Sequence, residues 1–316
     1  MGSKEKRDHG GNLDAAIARH GGTRAEWIDL STGINPVPYE MPRIPPLAWT
    51  ALPDSAASAR LVETARAFWN VPADADVLPV PGASAAIAQI PRLAPARRVS
   101  IPGPTYNEHA ASFAFAGWEV VDGIAQVEAS VRVHPNNPDG RTWDSNELKG
   151  DLRVIDESFC DVVPERSLID QASIPGTIIL KSFGKFWGLA GLRLGFVIGD
   201  PDLTGRLREM LGPWAVAGPA LHIGTAALRD AAWAAATRER LQKDAARLDE
   251  MMERAGAGVV GGTTLFRLYD VDTAKTWQAK LAEKRIWSRV FPYDPTWLRL
   301  GLPDGEGWSR LNDALA

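Results

Sequence analysis

Along the first two thirds of this chain, short apolar runs alternate with longer stretches whose apolar residues recur at helical spacing. Val77-Leu78-Pro79-Val80, Arg98-Val99-Ser100-Ile101, Trp118-Glu119-Val120-Val121, Ser130-Val131-Arg132-Val133, Arg153-Val154-Ile155, Thr177-Ile178-Ile179-Leu180 and Gly195-Phe196-Val197-Ile198 each read as a strand. Strand and helix in alternation is the rhythm of βαβ units rather than of a sandwich or a bundle, so the expected fold class is α/β. The last third has another texture. From about Pro219 to Ala255 the chain is rich in Ala, Leu, Arg and Glu, which predicts one long helix or two close ones, with Trp233 and the Met251-Met252 pair as core residues. Gly261-Gly262 then introduces a strand candidate, Thr263 to Tyr269, and a further helix and strand pair closes at Trp297-Leu298-Arg299-Leu300. That pattern predicts a small α+β domain.

Composition narrows the function classes. With 316 residues, 45% of them hydrophobic, the chain can bury a substantial core. A formal net charge of -4 and the lack of any basic run argue against nucleic acid as a partner. Cys160 is the only cysteine, which excludes an intrachain disulfide and a thiolate metal cluster and suits a reducing compartment, with cytoplasm as the default. No set of metal ligands stands out, and no metal is expected. The N-terminus, Met1 to Asp8, is charged and has no apolar core, so it does not read as a secretion signal; no later stretch is long and apolar enough to span a bilayer.

The chemistry is concentrated in Lys181-Ser182-Phe183-Gly184-Lys185-Phe186-Trp187-Gly188-Leu189-Ala190-Gly191-Leu192-Arg193-Leu194-Gly195. Lysine makes Schiff bases with carbonyls, and a pyridoxal-type enzyme needs that amine plus separate groups for a phosphate tail. Lys185 supplies the amine, while Ser182 and Arg193 are suitable phosphate donors. Gly82-Ala83-Ser84 follows a strand and opens a helix, a turn that presents backbone N–H groups. A pyridine nitrogen that must stay protonated needs an adjacent carboxylate, and Asp156 fits at the end of its strand. Asn137, in His134-Pro135-Asn136-Asn137-Pro138-Asp139-Gly140, can donate to a ring oxygen, and Tyr106 can lie over the ring face. Taken singly, Asp156 also reads as a cap, the Asn137 segment as a plain turn and Tyr106 as a half-buried core residue.

In this order the residues are recognisable. The chain resembles the fold-type I pyridoxal-phosphate enzymes of the aspartate aminotransferase superfamily, through Gly82-Ala83-Ser84, Tyr106, Asn137, Asp156, Ser182, Lys185 and Arg193. The resemblance implies pyridoxal 5'-phosphate as cofactor, held by Gly82, Ala83, Ser84, Tyr106, Asn137, Asp156, Ser182, Lys185 and Arg193. Lys185, Asp156 and Tyr106 would be the catalytic set. It also implies a large domain with a mostly parallel sheet flanked by helices, a small domain and a homodimer. Within the superfamily the likeness narrows to the threonine-phosphate decarboxylases of cobalamin biosynthesis. It rests there on His9-Gly10-Gly11-Asn12, Asp29-Leu30-Ser31-Thr32-Gly33-Ile34-Asn35-Pro36, Gly212-Pro213-Trp214 and Gly261-Gly262-Thr263. That likeness implies an N-terminal segment, 1–34, covering the active site and joining the small domain, a large domain over 35–212 and a small one over 213–316. A phosphorylated amino acid would be the substrate, met by His9, Gly10, Gly33, Asn137, Arg289 and Arg299. An aminotransferase of the histidinol-phosphate type, and a non-catalytic pyridoxal-phosphate-binding partner in corrinoid assembly, are the alternatives. Departures from the wider pattern are Phe159 and Leu52 where many relatives have tyrosine, Gly33 where some decarboxylases have asparagine, and Asp139 in place of threonine.

Overall fold

A computed structural model describes residues 9–316. The charged stretch Met1 to Asp8, read above as no secretion signal, lies outside the described residues. Packing divides the chain into two compact units, Pro38–Glu239 and a second formed by the segment ending at Val37 with Arg240–Ala316.

The first unit is built on a seven-stranded sheet. Its spatial order is Asp76–Val80, Gly195–Gly199, Thr177–Ser182, Leu152–Asp156, Ala129–Val133, Arg98–Ser100 and Glu119–Val121. Gly195–Gly199 is antiparallel to both neighbours, and every other pairing is parallel. Strands covered on both faces should read as continuous apolar runs. Ala129–Val133 and Gly195–Gly199 are buried at every position. Val131, Val154, Ile178, Leu180 and Val197 form the centre of the core, each contributing roughly 1.5–3 kcal/mol of burial.

The residues 213–239, expected in the small domain, pack with this first unit. Helix Gly218–Arg229 buries Leu221, Ile223 and Leu228 and lies against helix Ser55–Trp69, with Gly224 fitted over Leu61. The helical stretch after Pro219 is two helices, Gly218–Arg229 and Ala231–Arg254, separated at Asp230.

In the second unit, a four-stranded antiparallel sheet runs in the order Arg289–Phe291, Asp294–Gly301, Phe266–Asp270 and Gly258–Thr263. The N-terminal segment joins this unit: Ile28–Asp29 pairs in parallel with Ile286–Trp287, and helix Leu13–His20 packs through Leu13 and Ala16 against Trp27 and Ala282. Met251 and Met252 are buried, as expected. No helix among the described residues is long and apolar enough to cross a membrane.

Candidate active site

Ligands of open α/β sheets bind beyond the carboxyl ends of the parallel strands. Asp156 and Ser182 are the last residues of their strands, and Asn137 and Tyr106 lie in the loops after two others. The antiparallel strand brings its opposite end to this edge, since Gly195 pairs with both Ser182 and Val80. Arg193 therefore arrives beside the Gly82–Ser84 turn. The result is a cleft of about 160 Å³. Ala83, Ser84, Tyr106, Asn137, Asp156, Ser182, Lys185 and Arg193 all line it, and Gly82 stands directly behind Arg193.

Asp156 is 3% exposed and fully engaged. His109 Nε2–H donates to Oδ2 at 2.8 Å, while the Ser158 hydroxyl and backbone N–H donate to Oδ1 at 2.5 and 3.0 Å. Burial pushes this carboxyl up, but the bond and charge of His109 and the two Ser158 bonds outweigh it and hold it below its ordinary value. It faces the cleft as a carboxylate. Burial and the charge of Asp156 push the Tyr106 phenol up to about 12, so that ring stays neutral. The Lys185 ammonium nitrogen lies 5.2 Å from the centre of the Phe159 ring.

Groups suited to a phosphate gather around Arg193. Arg193 adopts a left-handed backbone, φ 53°, and donates through Nη2 to Ser84 Oγ at 3.0 Å and through Nη1 to the Ala190 carbonyl at 3.0 Å. Gly82 has φ 86°, and a Cβ there would stand 2.5 Å from Arg193 Nη2. Only glycine leaves the guanidinium in place. The hydroxyls of Ser84 and Ser182, the Arg193 fork and the Lys185 amine match the needs of a phosphorylated aldehyde, so the residues present fit pyridoxal phosphate.

The Lys185 loop stands on an aromatic column. Trp187 stacks on Phe183 at 5.2 Å and 12° on one side and on Trp233 at 5.2 Å and 13° on the other. Its indole N–H donates to the buried Asp161 at 3.2 Å. The Asn137 turn is fastened by Asn136, whose amide donates to the Pro104 carbonyl at 3.0 Å and to Asp139 at 2.8 Å. Asp139 also accepts from Arg141 N at 3.1 Å, so it closes the turn.

Sequence reasoning missed His109 and Ser158. A serine two residues after Asp156 was a signal available in the chain, whereas no local pattern tied His109 to a carboxylate 47 residues away. His134, Glu157 and Cys160 place one ligand atom each within 4.8 Å of one another. His134 is spent otherwise: Nδ1 accepts from Trp143 N at 3.0 Å, and Nε2–H donates to the Arg166 carbonyl at 2.7 Å. Glu157 likewise accepts from Lys181 at 2.5 Å and from Leu168 N at 2.6 Å, a buried structural network.

Apart from Asn137, the residues expected to meet substrate belong to the second unit. Arg289 and Arg299 are direct partners on adjacent antiparallel strands. Like charges placed opposite each other repel, and an anion between them offsets that repulsion. Arg299 is 5% exposed, and burial with the charge of Arg289 lowers its guanidinium to about 10. Its Nη2 donates to the Ser31 carbonyl at 2.7 Å. Gly33 is buried, Gly10 is half-buried and His9 is exposed.

Comparison with known proteins gives a consistent picture. The aminotransferase class I and II family matches residues 126–307, more than half of the chain. A threonine-phosphate decarboxylase of Sinorhizobium sp is 43% identical over 98% of this chain and 97% of its own length. One from Pseudomonas aeruginosa is 41% identical over the same shares, 98% and 97%. A histidinol-phosphate aminotransferase of Mycobacterium tuberculosis is 29% identical over 67% of this chain and 64% of its own. Among solved structures, the histidinol-phosphate aminotransferase of Sinorhizobium meliloti in complex with pyridoxal-5'-phosphate superimposes with a TM-score of 0.80 at 17% identity, covering 99% of this chain and 98% of that one.

Proposed function

The chain belongs to the aminotransferase class I and II family, in its threonine-phosphate decarboxylase group, and from that premise we propose that it decarboxylates L-threonine O-3-phosphate to 1-amino-2-propanol phosphate for cobalamin biosynthesis. The observation that carries this reading is the gathering of Lys185, Asp156, Tyr106, Asn137 and the phosphate donors in one cleft at the sheet edge. Pyridoxal phosphate is the cofactor, and it supplies an aldehyde for the substrate amine and a ring that accepts the electron pair left when carbon dioxide departs.

Each side chain has a task that its surroundings support. Ser84, Ser182 and Arg193 would hold the phosphate tail. Asp156, kept ionised by His109 and Ser158, would hold a proton on the ring nitrogen. Asn137 would donate to the ring oxygen, a task that Phe159 cannot share because it has no hydroxyl. Tyr106, a neutral phenol, would cover the ring face. Arg299 takes the substrate carboxylate and Arg289 its phosphate, since guanidinium forks suit both anions. His9, Gly10 and Gly33 would complete the substrate contacts. Lys185 would be the group that returns a proton to Cα once carbon dioxide has left.

The homodimer belongs to the same proposal. Met41, Leu47, Trp49 and Leu52 are 62%, 71%, 67% and 67% exposed, and Leu47 and Leu52 rim a groove of about 450 Å³. An apolar face of this kind suits a second copy of the chain. A cytoplasmic location is supported by a single buried thiol with no disulfide partner in the chain.

Lys185→Ala is the direct test of the cofactor site. The purified variant is expected to lose the visible absorbance that pyridoxal phosphate gains on bonding to lysine, and to lose turnover; retention of that absorbance would overturn the assignment.

A further inference from the structure

Two sequence motifs of the second unit meet at one carbonyl. Ser31 is 1% exposed, and its backbone oxygen is the acceptor for Arg299 Nη2 at 2.7 Å. Gly10 lies against the same oxygen: a Cβ on Gly10 would stand 2.4 Å from it. Any side chain at position 10 must therefore displace the carbonyl that Arg299 holds. The Ser31 hydroxyl ties the neighbouring residues into the same knot. It accepts from Gly11 N at 2.7 Å and donates its proton to Asp29 Oδ1 at 2.6 Å, which also accepts from Ser31 N at 2.9 Å. Asp29 belongs to the strand paired with Ile286–Trp287, so the knot is anchored in regular structure.

We propose that Ser31, with Asp29 and Gly10, is a positioning unit for Arg299, setting the direction of its guanidinium and coupling that direction to the seating of His9, Gly10 and Gly11. The inference rests on the reading of Arg299 as the carboxylate-binding group. A guanidinium offers its donors in a rigid planar fork. With Nη2 committed to the Ser31 carbonyl, the remaining edge points one way only, and bidentate capture of a carboxylate depends on that direction. Arg299 also lies over the Phe266 ring, 5.0 Å from its centre, which limits the planes it can adopt. The N-terminal glycines then have a physical reason. At Gly10 backbone approaches backbone so closely that the N-terminal segment and Arg299 meet at the same carbonyl oxygen.

The experiment compares two ligands that differ in the carboxylate alone, threonine phosphate and 1-amino-2-propanol phosphate, on the pyridoxal-phosphate-loaded enzyme. Variants are Gly10→Ala and Ser31→Ala, with Arg299→Gln as reference. Gly10→Ala is expected to weaken threonine phosphate binding about tenfold by displacing the Ser31 carbonyl, and Ser31→Ala about five-fold by removing the hydroxyl bonds to Gly11 N and Asp29 that seat that carbonyl. Inhibition by 1-amino-2-propanol phosphate and the dissociation constant of the cofactor stay near wild type. A lesion of structure alone would weaken both ligands together. Equal losses for the two ligands, or none in Gly10→Ala and Ser31→Ala while Arg299→Gln discriminates, would overturn the positioning role. Should Arg299→Gln itself fail to discriminate, the carboxylate assignment falls first. If Gly10→Ala does not fold, Ser31→Ala, which removes one oxygen, decides the matter.

Discussion

Asp156 is a buried carboxylate that stays ionised because three donors converge on it. Its folded-state value lies below the ordinary one, so its ionisation adds stability above the unfolded-state pKa of about 4, and that stability is lost as pH falls through the depressed folded value. His109→Leu removes both the hydrogen bond and the charge that lower it and raises the folded value. Acid unfolding of the variant, followed by circular dichroism, is expected to begin at higher pH than in the wild type; an unchanged acid midpoint would contradict the role of His109. Tyr106 titrates only near 12, so Tyr106→Phe is expected to leave the alkaline limb of the kcat/KM profile unmoved up to that range. That Lys185, Ser182, Arg193 and Asp156 come together in one cleft was legible in the chain, because the first three fall within one short run and Asp156 ends an apolar strand. His109 was not, because nothing local ties a helical histidine to a carboxylate 47 residues away.

Loops at the strand ends hold these residues, and their rigidity comes from packing. Trp187 sits between Phe183 and Trp233 beneath Lys185, and Trp187→Ala is expected to destabilise the protein by about 3–5 kcal/mol in denaturant titration. Gly82→Ala sets a side chain in a left-handed conformation costing about 1–2 kcal/mol and pushes on Arg193. Titration with pyridoxal phosphate should then show a dissociation constant raised about tenfold, and wild-type affinity would count against the phosphate site around Arg193. The strands were readable because both faces of the sheet are covered, which leaves apolar runs. The break at Asp230 was not, because no proline or glycine marks it; the side chain accepts from Trp233 N at 2.9 Å and starts a new helix.

At the scale of the molecule, the α/β class, the mostly parallel sheet and the small α+β unit were all visible in the alternation of runs. The boundary after Gly212 was less so, because helix Gly218–Arg229 follows an irregular Trp214 turn yet turns its apolar face to helix Ser55–Trp69. Leu47→Asp with Leu52→Asp is expected to shift the protein from dimer to monomer in sedimentation, as charge is placed on the apolar face. The central claim is the reaction itself. Purified protein loaded with pyridoxal phosphate is incubated with threonine phosphate, with and without 2-oxoglutarate, and carbon dioxide and glutamate are followed. The account predicts carbon dioxide in both cases and no glutamate; glutamate formed only with 2-oxoglutarate, without carbon dioxide, would contradict it.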